Sequence, residues 1–486
     1  MNNRKNFISA LLYQCVHIVY GLVVPRVILV HFGSEINGLV SSITQFLSFI
    51  SLLEGGLGAV VLAELYLPIE NDDHLTIKRI LTSSQLLFNK ISVFYIAYTI
   101  ILGFIYAFSV KGIYDFSFIF TLTLILSLTT LAEYLFSITY RLLLQANQKI
   151  YITNYISSGV LLTNIVVTFI SISIFPEIRL LKIFSAIAFF IQPIILRRFI
   201  PFNFRKINTK KFKIYKLKNR WSGFSQNLAH FINMNTDIIL ITFFCNYSEV
   251  SVYSVYMIAI NALRMIMSTI ADSYQGAIGK YIAQRDECVL QHSFYRFSIG
   301  ISGASVALFS TCLLLINPFV EIYTANVYDV DYFRPVFVMV MLIANLIYCI
   351  REPFRLLILA AGKFKETNFG AILEAILNVL VSVMLIKCFG LTGVAIGTLV
   401  AILYRMIYFI VYLRKNVLML DIKRYIFSIF PSIVVFILNL VAYKYTAFNI
   451  DSIMLFFMYG VIILICEFGV IFMFGYIVNK LLNRIS

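Results

Sequence analysis

The sequence predicts an all-α, polytopic membrane protein of about 14 transmembrane helices, built as two parallel six-helix lobes with two further helices at the C-terminal end. Three observations predict it. The 486 residues are 60% hydrophobic, 16% aromatic and only 13% charged, against roughly 25% charged in soluble domains, and mean hydropathy is +0.90. Apolar runs recur at about 20 residues, the length at which a helix crosses the hydrocarbon with every backbone polar group satisfied internally. Finally, six of these runs precede and eight follow a single basic interval, Arg197–Trp221, with ten Lys or Arg and no acid between Arg197 and Arg220. The alternating ten-residue pattern of a membrane barrel does not occur.

The expected spans are about 7–30, 37–63, 84–109, 116–140, 152–175, 180–196, 222–245, 249–271, 296–318, 335–360, 368–387, 391–413, 425–444 and 453–478. The first superficially resembles a signal peptide. Its apolar part, however, runs on to about Val30 through Gln14, His17, Pro25 and Arg26, with no small-residue cleavage site, and reads as a retained helix. An even number of spans puts both termini on one side. The loops on that side carry 27 Lys or Arg; the opposite side has six, Lys111, Arg179, Lys182, Arg334, Lys387 and Lys444. By the positive-inside rule both termini and the basic interval are expected in the cytoplasm. The net charge of +16 is then a topology signal and an attraction to anionic lipid, and no nucleic-acid partner is expected. The expected organisation is an N-terminal lobe over 1–196, a basic linker over 197–221, a C-terminal lobe over 222–415 and a helix pair over 416–486. Trp221, the only tryptophan, suits an interfacial anchor. The seven cysteines show no paired spacing and support neither a disulfide frame nor a metal site.

Six spans on each side of the linker invite a search for a repeat. At a constant offset of 214, Tyr134–Thr168 aligns on Tyr348–Ser382 with ten identities, among them Arg141/Arg355, Lys149/Lys363, Asn154/Asn368 and Asn164/Asn378. Shorter matches at nearby offsets pair Ser9 with Ser222, His17 with His230 and Gly58 with Gly276. With six spans per unit, both copies enter the membrane from the same side, so they are parallel.

Charges at bilayer depth are costly and usually face a bundle interior or a water-filled cavity. Removing loop charges leaves Arg26, Lys90, Arg264, Arg351, Arg355 and Arg405, with Glu54, Glu133, Asp237, Glu352, Glu374 and Glu467 as candidate anions and Asp272 near a helix end. In the seventh span Asn227, His230, Asn233 and Asp237 recur at three, three and four residues, one polar stripe on a helix. The stripe either holds helices together by hydrogen bonds or walls a cavity in which Asp237 exchanges a proton or ligates a cation. In the tenth span Arg351 and Arg355 lie one turn apart around Pro353, which should bend the helix there. Paired guanidinium groups suit a diphosphate; the alternative is a cluster at the helix end neutralised by Glu352. Arg26, Arg264 and Arg405 are single arginines in apolar runs, with Glu54, Glu133 and Glu374 available as partners. His17, one turn from Gln14, reads better as a polar contact than as a proton relay.

The sequence lacks a phosphate-cradling P-loop and any His/Cys metal spacing, so no cofactor or metal is expected. The longest outward interval, about Phe319–Phe333, offers no platform for a transferase or polymerase. The chain resembles the polysaccharide transporter, or oligosaccharide flippase, family, within the superfamily that also holds multidrug extruders and lipid II flippases. The likeness rests on the layout of six, six and two spans; on VVPRVILVHFGSEINGLVSSITQFLSFISLLEGGLGAVV; on NMNTDIILITFF; and on LILAAGKFKETNFGAILEAILNVLVSVMLIKCFGLTGVAIGTLVA.

The resemblance implies two lobes around a cavity and transfer of an undecaprenyl-diphosphate-linked oligosaccharide across a bacterial inner membrane by alternating access, driven by H+ or Na+. On that expectation Arg26, Arg264, Arg351 and Arg355, with Asn227, His230 and Asn233, meet the substrate, while Asp237, Glu54 and Glu374 couple the ion. The expected partners are that lipid-linked oligosaccharide, the coupling ion and membrane lipid. The protein is expected to be a transporter rather than an enzyme, and a monomer because the repeat supplies both lobes, with association with a polymerase and a chain-length regulator left open. A small-cation extruder of the same fold is the rival; it calls for an acidic, aromatic cavity. A membrane polymerase or transferase is a third reading.

Overall fold

In the computed structural model the described residues are 2–110, 114–201, 204, 224–284, 287–363, 366–418, 422–445, 450 and 452–485. The chain divides into two compact units, Met1–Leu228 and Ala229–Ser486. The first contains α1 (Asn2–Leu47), α2 (Ser51–Glu70), α3 (His74–Ser109), α4 (Phe116–Ala132), α5 (Ile138–Ala146), α6 (Ile150–Ile174) and α7 (Ile178–Phe199). α8 (Phe224–Phe244) leads into the second, which holds α9 (Tyr247–Ser273), α10 (Gln275–Gln284), α11 (Glu287–Tyr323), α12 (Pro335–Ile350), α13 (Glu352–Ala360), α14 (Asn368–Phe389), α15 (Leu391–Asn416), α16 (Ile422–Tyr443) and α17 (Ile453–Ile485).

Among the described residues 12 helical stretches are long and apolar enough to cross a membrane, and Asn235–Phe244 is a shorter apolar one. All fourteen expected spans fall on helices. The lower count has two causes. Arg4–Ile50 counts once, although the chain turns inside it at Gly33 (φ 80°, ψ 174°), a conformation that costs glycine nothing. Of α8, the described apolar part is the shorter stretch Asn235–Phe244. The chain is a multi-pass membrane protein.

The two units repeat the same helix plan. α5 and α13 end at Ala146 and Ala360, and α3 and α11 end at Ser109 and Tyr323, each pair 214 residues apart. Both copies also break their fourth crossing at the same place. In the first unit a π-helical turn, Glu133–Ser137, separates α4 from α5; in the second, Arg351 interrupts α12 and α13, with Pro353 in the first turn that follows.

In lipid, helices gain little from apolar contact alone, so close approach and interhelical hydrogen bonds hold them. The α14–α15 hairpin shows the first. Gly390 (φ 54°, ψ −131°) makes its turn, and a Cβ on Gly393 would stand 2.5 Å from the backbone C and O of Leu385, while one on Gly397 would stand 2.0 Å from Ser382 Oγ. Backbone cannot yield as a side-chain tip can. Gly393→Ala is therefore expected to cost about 1–3 kcal/mol in thermal unfolding, whereas Gly300→Ala, which meets nothing within 4 Å, should be neutral. Equal melting of the two variants would refute the packing argument.

Hydrogen bonds supply the second kind of link. Asn164 Nδ2 donates to Ser185 O (3.1 Å) and Oγ (2.8 Å), joining α6 to α7. Asn6 Nδ2 donates to Gln148 O at 3.0 Å, its Oδ1 accepts from Tyr151 N at 3.1 Å, and Asn154 Nδ2 donates to Ser9 Oγ at 3.1 Å, fastening the start of α1 to that of α6. At the start of α3, Asp73 accepts from Leu75 N (3.2 Å) and Thr76 N (3.0 Å). Bonding to the Thr76 hydroxyl and then to its backbone holds the Asp73 carboxyl below the usual carboxylate range.

The C-terminal pair packs on α11. Tyr425 of α16 lies edge-on to Phe354 (5.4 Å) and its hydroxyl is 3.3 Å from Ser302 Oγ; Tyr443 donates to Asn317 Oδ1 at 3.0 Å. Asn439 of α16 donates to Glu467 of α17 at 2.8 Å. Among the described side chains of α17 most of the rest are exposed and apolar, including Phe457, Ile465, Phe472 and Met473, as a lipid-facing helix requires.

The basic linker falls largely outside the described residues. α7 carries its first two arginines, Arg197 and Arg198, in its last turn, and Phe204 is buried beside His74 (ring centroids 5.6 Å).

Candidate functional site

α8 brings Asp237 into the interior of the second unit, where it is 4% exposed. Two hydroxyls hold it. Tyr253 of α9 donates to Oδ2 at 2.9 Å, and Thr398 of α15 donates a bond shared between Oδ1 (3.0 Å) and Oδ2 (3.1 Å). These three residues, with Arg264, Asn345 and Tyr348, line a cavity of about 20 Å³. A space of that size holds one water-sized species, since a water needs some 10–15 Å³ by this measure. Asn345 Nδ2 is spent on Met341 O at 2.8 Å. The oxygen donors around the cavity are thus a carboxylate, three hydroxyls (Tyr253, Thr398 and Tyr348) and an amide, a set suited to a hard monovalent cation or to a proton on the carboxylate.

Beyond this cavity a line of charge continues through the same unit. The guanidinium groups of Arg264 and Arg351 lie 4.2 and 4.5 Å from the ring centre of Tyr348, within the range of a cation–π contact. Arg351 donates to Glu374 Oε1 at 2.5 Å, with both side chains buried. Arg405 Nε is 3.5 Å from Glu374 Oε2, and its Nη1 donates to Thr367 O at 3.1 Å. One carboxylate therefore serves two buried arginines. At the adjoining helix end Arg355 bonds Glu352 at 2.7 Å and Asp272 at 3.4 Å.

The residues singled out from sequence are thus sorted. Asp237, Arg264, Arg351 and Glu374 come together in one continuous network. Arg351 and Arg355 do not present two unoccupied guanidinium groups to one face, because each is held by a different carboxylate. The partner of Arg351 is Glu374 rather than its neighbour Glu352. Arg26 is half-buried on α1 and has no hydrogen bond or ion pair among the described residues. Glu133 pairs with Arg141, Lys90 is exposed, and His17 meets the ring of Tyr13 at 5.8 Å. Asn227, His230 and Asn233 lie on α8 and Glu54 on α2, but their side chains are outside the described residues.

Sequence reasoning missed Tyr253, Thr398, Asn345 and Tyr348. The repeat pointed to two of them: Tyr348 pairs with Tyr134 at the 214-residue offset. Ser185 and Thr398 are both seven residues past the first residue of their helix, α7 and α15, so the repeat marked a polar position that apolar surroundings otherwise hid.

Fold and site together define a multi-pass helical membrane protein of the architecture shared by lipid flippases and multidrug transporters. The solved structure titled lipid II flippase MurJ, inward closed conformation, aligns with a TM-score of 0.69 at 16% identity, over 97% of this chain and 99% of that one. An inward-facing multidrug resistance MATE family transporter of the MOP superfamily aligns with a TM-score of 0.63 at 14% identity, over 82% and 96%. A MOP superfamily transporter from Pyrococcus furiosus, described as having a binding pocket of reverse polarity, aligns at 0.59 and 13% identity, over 85% and 95%. No family model and no curated protein matches the chain. At these identities the likeness establishes the fold.

Proposed function

We propose that the protein is an ion-coupled flippase that carries an undecaprenyl-diphosphate-linked oligosaccharide across a bacterial inner membrane by alternating access, with both termini in the cytoplasm. The observation that carries the reading is the extent of the likeness to a lipid II flippase, over 97% of this chain and 99% of that one. The MATE transporter covers 82%. The arginines add to it: Arg26 offers a cation to a diphosphate, while Arg264, Arg351 and Arg355, engaged within the second unit, shape the surrounding field. Asp237 is the coupling group and takes H+ or Na+. Charge gained there competes with Arg264, which lines the same small cavity, so ion binding and the arginine network are linked. Glu374 acts through that network. Glu54, Asn227, His230 and Asn233 keep the roles that the sequence suggests. The protein acts as a monomer and as a carrier rather than an enzyme.

The test is removal of the protein from its host. Lipid-linked repeat units should accumulate on the cytoplasmic leaflet, and reintroduction should clear them. If they reach the outer leaflet at the normal rate, the reading fails. The MATE-like structures and the acidic residue at the heart of the site favour a second reading, a cation-coupled extruder of small molecules. Deletion would then leave the lipid-linked pool unchanged and raise sensitivity to cationic dyes.

A further inference from the structure

The first unit contains a cavity of about 410 Å³ bounded by α1, α4, α6, α7 and the π turn. That is within the size range of small-ligand sites and leaves room for one sugar residue. Its wall is unusually polar for membrane depth. α7 contributes Lys182, Ser185, Phe189 and Gln192, spaced by three, four and three residues and so on one helical face. Lys182, which the sequence counted among the outer-side charges at the edge of the sixth span, lies on this face of α7.

Charge in the cavity does not balance. Glu133, the only acid on its wall among the described residues, is already paired with Arg141. Lys182 has no hydrogen bond or ion pair among the described residues, and an ammonium group that lines a cavity between membrane-length helices without a partner is a functional feature by default. Ser137, at the end of the π turn, also has a buried hydroxyl without a partner. π turns inside α-helices concentrate at functional sites because the extra residue re-aims side chains. The remaining wall combines neutral hydrogen-bonding groups with an aromatic corner: Gln192 donates to Ser157 Oγ at 3.1 Å, and Tyr20 meets Phe189 edge-on at 6.4 Å.

From the unpaired Lys182, the unpartnered Ser137 hydroxyl and the size of the cavity, we infer that this cavity binds one carboxylate-bearing sugar residue. Lys182 takes the carboxylate, Ser137, Ser157 and Gln192 take ring hydroxyls, and Tyr20 and Phe189 lie against a C–H face. A bare anion would use the lysine and leave the hydroxyl-lined volume empty; a neutral sugar would leave the lysine unpaired. The inference deepens the proposed function by naming an acidic repeat unit and rests on that reading for its biological sense, but binding can be measured without transport.

The experiment titrates the purified full-length chain, in lipid nanodiscs, with glucuronate, glucose and sodium phosphate while following thermal unfolding. Glucuronate should raise the midpoint saturably, with glucose about tenfold weaker or more, the difference expected for one charge-assisted hydrogen bond. Lys182→Met should remove that difference and leave glucose binding unchanged, Lys182→Arg should restore it, and Gln192→Ala should weaken both sugars. The inference is overturned if glucuronate binds no better than glucose, if Lys182→Met matches the unsubstituted protein, or if phosphate binds as well as glucuronate with the same dependence on Lys182. Failure here leaves an ion-coupled flippase for a neutral sugar standing. Absence of any effect of deletion on lipid-linked pools would sink the transport reading while leaving the binding result intact.

Discussion

Asp237→Asn should abolish the response of transport to an imposed ion gradient while leaving the protein folded. The substitution keeps the shape of the side chain and an oxygen that can accept from Tyr253 or Thr398, but removes the charge that a proton or a cation would meet. Proteoliposomes bearing the variant should translocate substrate at one rate whether a proton or a sodium gradient is imposed, collapsed or reversed. The unsubstituted protein should respond to one of the two. Tyr253→Phe and Thr398→Val each remove one hydrogen bond to the carboxylate, found at 2.9 Å and at 3.0 Å. Bonds to charged groups contribute about 1.5–3 kcal/mol, so each variant should shift the ion concentration for half-maximal transport by about tenfold or more. An Asp237→Asn protein with unaltered gradient dependence would remove Asp237 from the coupling step, and the search would move to Glu374.

Glu374→Gln should be the most damaging single change to stability in the second unit. Glu374 stands between Arg351 and Arg405, and all three side chains are less than a tenth exposed. Neutralising it removes the carboxylate charge that both buried guanidinium groups contact. Breaking a buried pair from one side costs about 3–5 kcal/mol, so the variant should express poorly or melt well below the unsubstituted protein. Arg405→Met gives the contrast. It leaves the Arg351–Glu374 pair intact and should cost less, and when added to Glu374→Gln it should recover part of the loss. If the double variant is no more stable than Glu374→Gln, the charge argument fails and packing around α14 must account for the loss.

Much of the fold was legible in the sequence because crossing a bilayer is a local requirement. A run of apolar residues long enough to span commits itself to a helix whatever its neighbours do, and a duplicated set of runs keeps its spacing, as the 214-residue offset shows. The burial of Asp237 was legible for a similar reason: three polar residues before it, at helical spacing, marked the face of the helix on which it lies. The partners were not. Tyr253 and Thr398 lie 16 and 161 residues from Asp237, and a tyrosine or threonine in an apolar run carries no mark of the face it will occupy. The two arginines of the tenth span illustrate the limit. Helical spacing put them on one side, but the break at Arg351 and the approach of α14 gave each a different carboxylate.

The sequence by itself determined that this is a membrane protein of two repeated helical units and a C-terminal pair, and that several charges must be buried. Each of these follows from length, apolarity and spacing along the chain. Only the tertiary structure decided which charges satisfy one another, that Glu374 serves two arginines, and that Lys182 lines a cavity. Those outcomes depend on the rotation of each helix about its axis and on its depth beside its neighbours. Hydropathy is nearly blind to both: a shift of two residues leaves a span intact, yet turns a side chain from lipid to cavity.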